Sequence, residues 1–267
     1  MNLIFHKMTL LGNDFIVIDN VTYNFEINSD IIKLISNRNL GIGCDQVLIL
    51  RPPSDEQSDF DYLIYNADGS ESGQCGNGSL CLSSFIKLNK LSLQNKIKLN
   101  TKTTSIEIYN TKSIDNKYTV NLGKYNIEHK DTLNLDNIIY LIYKINIGNP
   151  HLIIFLEDNF NIDKNKLINL IDEKLVQNNN ISFVSNKNNK NNKINIITYE
   201  RGVGLTLACG SAASAASIAC FDKNNSPSNK FEVCFKHGSV FTEVNSDKQE
   251  IFLSGCPDYV FTGEMVF

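Results

Sequence analysis

Cys75 and Cys209 lie about half a chain apart in near-copies of one motif, Cys-Gly-Asn-Gly-Ser-Leu-Cys-Leu-Ser-Ser at 75–84 and Cys-Gly-Ser-Ala-Ala-Ser-Ala-Ala-Ser at 209–217. In each, a thiol precedes glycine, a small polar residue and a run of small and apolar residues that suits a helix, so each thiol is expected at a helix N-terminus. Unpaired amides and the positive end of the helix dipole favour a thiolate there, drawing the thiol pKa from its free value of ~8.5 toward neutrality. Two such thiols, one from each half of the chain, suit a two-sided acid/base site.

Five further segments are richer in glycine and polar residues than a structural loop requires: Gly12-Asn13-Asp14-Phe15, Gly41-Ile42-Gly43-Cys44-Asp45-Gln46, Asn66-Ala67-Asp68-Gly69-Ser70-Glu71, Gly148-Asn149-Pro150-His151 and Tyr199-Glu200-Arg201-Gly202-Val203-Gly204. Each flanks an expected strand. Any one alone reads as turn chemistry; together with the two Cys-Gly motifs they read as the lining of a site.

The elements that must position these residues are short. Strands are expected at Asp14–Asp19, Val47–Leu50, Tyr62–Tyr65, Lys96–Asn100, Ile106–Tyr109 and Tyr118–Asn121, with helices at Ile31–Asn37 and Ser79–Leu88. The second half repeats the style. Its strands are expected at Tyr143–Ile147, Leu152–Leu156, Ile194–Tyr199, Phe231–Phe235, Val240–Val244 and Glu250–Ser254, its helices at Asp163–Val176 and Ser211–Phe221. The expected fold class is α+β: two pseudo-symmetric domains, each a mostly antiparallel sheet wrapped around a central helix, with the active site in the cleft between them. The boundary is placed near the polar stretch Gly123–Thr132, giving residues 1–123 plus 257–267 as one domain and 124–256 as the other. Asn186–Lys193 reads as a solvated hairpin tip.

The chain of 267 residues is 42% hydrophobic and 20% charged, long enough for two units of about 130 residues each. A net charge of -4, from 25 basic and 29 acidic residues, gives no reason to expect nucleic acid or an anionic membrane as partner. A small-molecule ligand is expected instead. No apolar run approaches membrane-spanning length and the N-terminus lacks a sustained apolar stretch, so a soluble cytoplasmic protein is expected. Seven cysteines without a Cys-x-x-Cys pair argue against a disulfide framework and a zinc site. The four histidines stand apart from ligand-spaced partners, and no metal is expected. Cys81, Cys220 and Cys234 sit in apolar patterns and read as small buried hydrophobes.

The blocks Asn-Ala-Asp-Gly-Ser-Glu…Cys-Gly-Asn-Gly and Glu-Arg-Gly-Val-Gly…Thr-Leu-Ala-Cys-Gly-Ser are specific in combination. In them the chain resembles the diaminopimelate epimerases, and the resemblance runs from Gly12 to Gly263-Glu264. It implies a homodimeric enzyme of lysine and peptidoglycan precursor synthesis that inverts one α-carbon of diaminopimelate without pyridoxal phosphate. No lysine lies beside a glycine-rich phosphate cradle, and no cofactor is expected. By the same resemblance Cys75 and Cys209 exchange the roles of base and acid, and the amides of Gly76-Asn77 and Gly210-Ser211 receive the reacting carboxylate. Asn13 and Gln46 match positions lining the reacting end. Asn66, Asn149, Asn180 and Arg201 match those holding the distal amino-carboxylate group. Glu200 matches an acid near the second thiol that contacts the distal ammonium, and His151 matches a residue near the first.

The chain also departs from the family pattern. Thr9-Leu10 replace a usual His-Gly, Leu205 stands where Glu is usual, and Ala212 and Thr104 replace glycines. Three other readings are weighed against the epimerase: a related two-thiol racemase for another amino acid, a thiol hydrolase using Cys75 with His151, and a non-catalytic amino-acid-binding homologue. The hydrolase leaves the second Cys-Gly helix unexplained. The binding protein is motivated only by Leu205 and the drifted glycines.

Overall fold

Alternating burial, the mark of a strand with one face on a core, runs along Phe60–Asn66, Lys96–Asn100 and Ser105–Tyr109. The computed structural model that shows this describes residues 2–109, 117–135, 137–156, 163–171, 173–186, 192–224 and 228–267. Its contacts divide the chain into two units, Met1–Asn121 with Ser254–Phe267, and Leu122–Leu253.

The first unit contains β1 (Asn2–Leu10), β2 (Asn13–Asp19), α1 (Ser29–Ser36), β3 (Gln46–Arg51), β4 (Phe60–Asn66), β5 (Glu71–Ser72), α2 (Gly76–Leu88), β6 (Lys96–Asn100), β7 (Ser105–Tyr109) and the start of β8 (Tyr118–Lys124). The second runs through β9 (Asn126–Leu135), β10 (Ile138–Asn146), β11 (Pro150–Phe155), α3 (Lys164–Leu170), α4 (Glu173–Asn178), β12 (Asn180–Ser185), β13 (Lys193–Glu200), β14 (Gly204–Thr206), α5 (Gly210–Asn224), β15 (Lys230–Phe235), β16 (Gly238–Asn245) and most of β17 (Glu250–Gly255). The last strand, β18 (Asp258–Val266), belongs to the first unit.

One topology serves both units. In the first, β1 pairs antiparallel with β18 and β2, β2 parallel with β3, β3 antiparallel with β4, and β4 antiparallel with β5 and parallel with β6, which continues antiparallel to β7 and β8. In the second, β10 pairs antiparallel with β9 and β11, β11 parallel with β12, β12 antiparallel with β13, and β13 antiparallel with β14 and parallel with β15, which pairs antiparallel with β16. The α+β expectation of two matched units with mostly antiparallel sheets is borne out. The strands joined in parallel, β2 with β3 and β11 with β12, are almost continuously buried, as strands covered on both faces must be.

Each sheet curls around one helix. Helix α2 touches β1, β2, β3, β7 and β18, and every residue from Gly76 to Ile86 is buried. Helix α5 touches β10, β11, β12, β13, β15 and β16. A helix enclosed on all sides carries no polar stripe, which is why neither is amphipathic. Three of the serines inside them return their hydroxyls to backbone carbonyls one turn earlier: Ser79 donates to the Cys75 carbonyl at 2.8 Å, Ser214 to Gly210 and Ser217 to Ala213, both at 2.9 Å. Unpartnered, each buried hydroxyl would be destabilising by about 1–3 kcal/mol.

The single helix expected over Asp163–Val176 is instead two. Asp163 caps α3, and Ile171 turns to extended backbone (φ -77°, ψ 137°) and ends it before α4 begins. Buried Leu167 and Ile171 belong to the same core cluster as Phe183, so the apolar spacing persists across a break that periodicity cannot register. Of the tip expected at Asn186–Lys193, residues 187–191 lie outside the described residues.

Candidate active site

The local sequence fixes where the first thiol sits. Cys75 has extended backbone (φ -144°, ψ 109°) and is the N-cap of α2; its Sγ takes the place of a capping oxygen and accepts the Gly78 N–H at 3.2 Å. The chain must be glycine at 78, because a Cβ there would stand 2.5 Å from the Tyr62 hydroxyl, 3.2 Å from Leu48 and 3.3 Å from the Cys75 sulfur. Asn77, in the first turn, donates from Nδ2 to Asn13 Oδ1 at 3.2 Å. Asn13 opens β2, Gln46 opens β3 and Asn66 closes β4, and the register of these strands puts their ends side by side. Gln46 donates to Asn66 Oδ1 at 2.9 Å, and Asn66 donates to Ser70 at 3.0 Å. The first unit thus collects Asn13, Gln46, Asn66, Cys75, Gly76 and Asn77 from one set of strand ends and one helix N-terminus.

The second unit makes a similar collection. Cys209, 7% exposed, immediately precedes α5, whose first turn closes through Ala213 N–H to the Cys209 carbonyl at 3.0 Å. Its Sγ lies 3.3 Å from Ser211 Oγ, and Asn149 Nδ2 reaches that same hydroxyl at 3.5 Å. His151 Nε2 donates to Asn149 Oδ1 at 3.0 Å. Asn180 opens β12 opposite His151 and accepts the Arg201 amide on Oδ1 at 2.9 Å. Glu200 closes β13, and Arg201 begins the exposed turn that follows.

Burial separates the thiols. Cys81 is driven well above the ordinary thiol range by complete burial and then by the charge of Cys75; Cys44 is pushed up to about 11 and Cys220 to about 12, chiefly by burial. These three stay protonated and behave as packing groups. Burial also holds His151 down at about 3, so its imidazole is neutral. The phenol of Tyr62 is raised by burial and by the nearby Cys75 charge.

Sequence reasoning missed a charged network behind Asn13. Asp45 Oδ2 accepts from Asn13 Nδ2 at 2.9 Å and from the Asp14 amide at 3.1 Å. Arg38 donates to both Asp14 oxygens, at 3.0 and 2.7 Å, and to Asp45 at 2.9 Å, while Lys7 meets Asp14 at 2.6 Å and also the Gly43 carbonyl. Burial alone would raise the Asp14 carboxyl, but the hydrogen bonds and charges of Arg38 and Lys7 overcome it and set it at about 2. Asp14 and Asp45 fall inside segments marked by their glycines; nothing local marked Arg38 as their partner.

Among the described residues, no three His, Cys, Asp or Glu side chains converge as metal ligands, and no helix is long and apolar enough to cross a membrane. Leu205, the departure of most chemical interest, lies on β14 opposite Tyr199 and is 62% exposed, so core packing does not explain it.

The sequence profile of the family described as "Diaminopimelate epimerase" matches residues 5–128 and 143–260. Diaminopimelate epimerase of Blochmanniella pennsylvanica (strain BPEN) is 35% identical over 275 residues, covering 97% of this chain and 98% of that protein. The diaminopimelate epimerase of Legionella pneumophila (strain Corby) is 34% identical over 283 residues and all of both chains. Among solved structures, a phenazine biosynthesis protein of the PhzF family from Bacillus anthracis shares the fold over the full length of both chains, with a TM-score of 0.74 at 12% identity.

Proposed function

The chain belongs to the diaminopimelate epimerase family, and from that premise we propose that it interconverts LL- and meso-2,6-diaminopimelate without a cofactor, using Cys75 and Cys209 as an acid/base pair. The observation that carries this reading is the repeated placement of a thiol at the N-terminus of a buried helix, once in each unit.

The chemistry requires such a pair. An amino-acid α-proton is weakly acidic, and without an electron-sink cofactor the barrier must be lowered by a placed base, a placed acid and stabilisation of the carboxylate as it gains enolate character. In the proposed reaction one cysteine, as thiolate, removes the α-proton, and the C–H electron pair passes into the carboxylate. The other cysteine, as thiol, then delivers its own proton to the opposite face of the carbon. The two sulfurs end with protonation states exchanged, so the reverse reaction uses them in swapped roles. The amides of Gly76-Asn77 and Gly210-Ser211, at the positive ends of α2 and α5, are suited to the developing negative charge.

In this proposal Asn13 and Gln46 orient the reacting end, and Arg201 binds the distal carboxylate with Asn66, Asn149 and Asn180, while Glu200 takes the distal ammonium. His151 supports the site as a neutral group. Placement in lysine and peptidoglycan precursor synthesis, a cytoplasmic location and a homodimer belong to the same proposal. The experiment is stereoisomer analysis after the reduced protein is incubated with LL-diaminopimelate and no added cofactor. Accumulation of the meso isomer is expected; unchanged substrate with a folded protein would point to another amino acid or to binding alone.

A further inference from the structure

Two asparagines occupy matching places in the two units, each in a Gly-Asn pair opening the strand that joins its parallel neighbour: Asn13 before β2 continues, and Asn149 just before β11. Each meets the second residue after its unit's cysteine, Asn13 through Asn77 and Asn149 through Ser211. What holds them differs. His151 holds Asn149 from two residues further along the same segment, at the start of β11. Asn13 is held from another loop, by Asp45, and Asp45 is held by Arg38.

An asparagine amide has a donor end and an acceptor end, and which end faces a ligand depends on what fixes the other contacts. Asp45 is a carboxylate and only accepts, so it takes the NH2 end of Asn13 and leaves Oδ1 toward Asn77. The Asp45 carboxylate is itself fixed: Oδ2 takes the Asp14 amide, Oδ1 takes Arg38, and its backbone N–H returns to Asp14. Arg38 can do this because its planar fork spans two carboxylates at once. The chain is shaped to admit it. Gly43 has φ +84°, and a Cβ there would stand 2.9 Å from the Arg38 Cα.

We propose that Arg38 is a positioning residue of the site: through Asp45 it fixes the amide of Asn13, and through Asn13 it fixes the first turn of the helix that begins at Cys75. The inference rests on the reading that Asn13 and Cys75 belong to the epimerase site. Arg38 itself is 59% exposed at its side chain and touches neither thiol among the contacts described, so its effect is transmitted through Asp45.

The test is a double-mutant cycle of Arg38→Ala with Asn13→Ala, together with Arg38→Lys, measured as kcat and KM for α-proton exchange alongside thermal unfolding. Arg38→Ala is expected to lower kcat on the order of 10- to 100-fold, as small misplacements of catalytic groups do, with a smaller change in KM. Arg38→Lys, a point charge without the fork, restores only part of it. In the Asn13→Ala background the further loss on removing Arg38 is expected to be less than about twofold. Losses that multiply, or a kcat that tracks the melting temperature alone, would overturn the proposal, as would full activity in either single variant. If wild type exchanges no α-proton, the epimerase reading fails and the pH profile of Cys75 alkylation decides the positioning claim. A profile shifted in both Arg38→Ala and Asp45→Asn supports it, and an unshifted profile overturns it.

Discussion

The two units share a topology but not the packing of their central helices. Helix α2 is filled with bulk, with Leu80, Leu82, Phe85 and Ile86 all fully buried, whereas α5 is walled with Ala212, Ala213, Ala215, Ala216 and Ala219. The third residue after each cysteine shows the difference most sharply. In α2 it is Gly78, pressed against the Tyr62 hydroxyl; in α5 it is Ala212, buried without difficulty. The fourth residue before each cysteine differs too. Glu71 stands opposite Tyr65 and pairs with Lys102, while Leu205 stands opposite Tyr199 with an exposed apolar side chain. The fold repeats where each thiol is put, and the side chains around it are free to diverge.

That contrast can be broken at several points. Removing either thiol is expected to have the greatest consequence: Cys75→Ala and Cys209→Ala should each lower epimerisation by at least about 10²- to 10⁴-fold, the usual contribution of a placed acid or base. A variant that kept near-normal turnover would show that its cysteine is a packing residue.

The helix starts offer the next contrast. Gly78→Ala should destabilise the protein by roughly 1–3 kcal/mol through overpacking, although alanine is intrinsically the better helix former by about 1 kcal/mol. In a Tyr62→Phe background, where the obstructing oxygen is gone, the same change should cost less or stabilise. Ala212→Gly should cost only about 1 kcal/mol, the propensity difference. Chemical unfolding of the wild type and these four variants would check this, and an equal penalty for Gly78→Ala with and without the Tyr62 oxygen would refute it.

Acid should act on the second unit through His151. Unfolded, the imidazole protonates near 6.5; folded, burial holds it at about 3. Between those values the unfolded chain binds more protons, so stability falls as pH drops, by at most about 1.4 kcal/mol per pH unit for one group. The loss begins near pH 6.5 and ends near pH 3. A His151→Asn variant should show a shallower fall of unfolding free energy with pH over that window, and an identical slope would exclude His151 as the source. At the acid end of that window and beyond it, the first unit loses the contribution of Asp14, between its ordinary value of 3.8 and about 2.

The smallest effect is expected at Leu205. Its exposure places it outside the core, so Leu205→Glu should leave stability within about 0.5 kcal/mol. If the rate then rises several-fold with its pH optimum shifted, the missing acid matters to the second thiol; an unchanged profile would leave it a neutral surface difference.

Much of this was legible from residue patterns. Alternation located strands such as Lys96–Asn100 to the residue, and the Cys-Gly motifs located both central helices, because those signals are local. Strand β1 escaped because its sequence does not alternate: Leu3, Ile4 and Phe5 are consecutive apolar residues, and the polar His6 that follows is buried beside Phe5. Strands β9 and β18 escaped because they are largely exposed and carry little apolar pattern. Within the candidate site, asparagines in glycine-marked segments could be read directly. The Arg38 fork could not, since it joins Asp14 across 24 residues and lies in an unremarkable Asn-Arg-Asn-Leu stretch. Long-range charge pairing leaves no periodic trace in a single sequence.

The proposed pair of thiols makes a distinctive isotopic demand. In deuterium oxide, LL-diaminopimelate should be converted at low turnover to meso product carrying deuterium at the inverted carbon, while recovered LL substrate stays unlabelled, because the proton removed by one sulfur is not the one delivered by the other. Meso product that retains the original protium would mean a single group both removes and returns the proton, and would contradict a site built on Cys75 and Cys209 together.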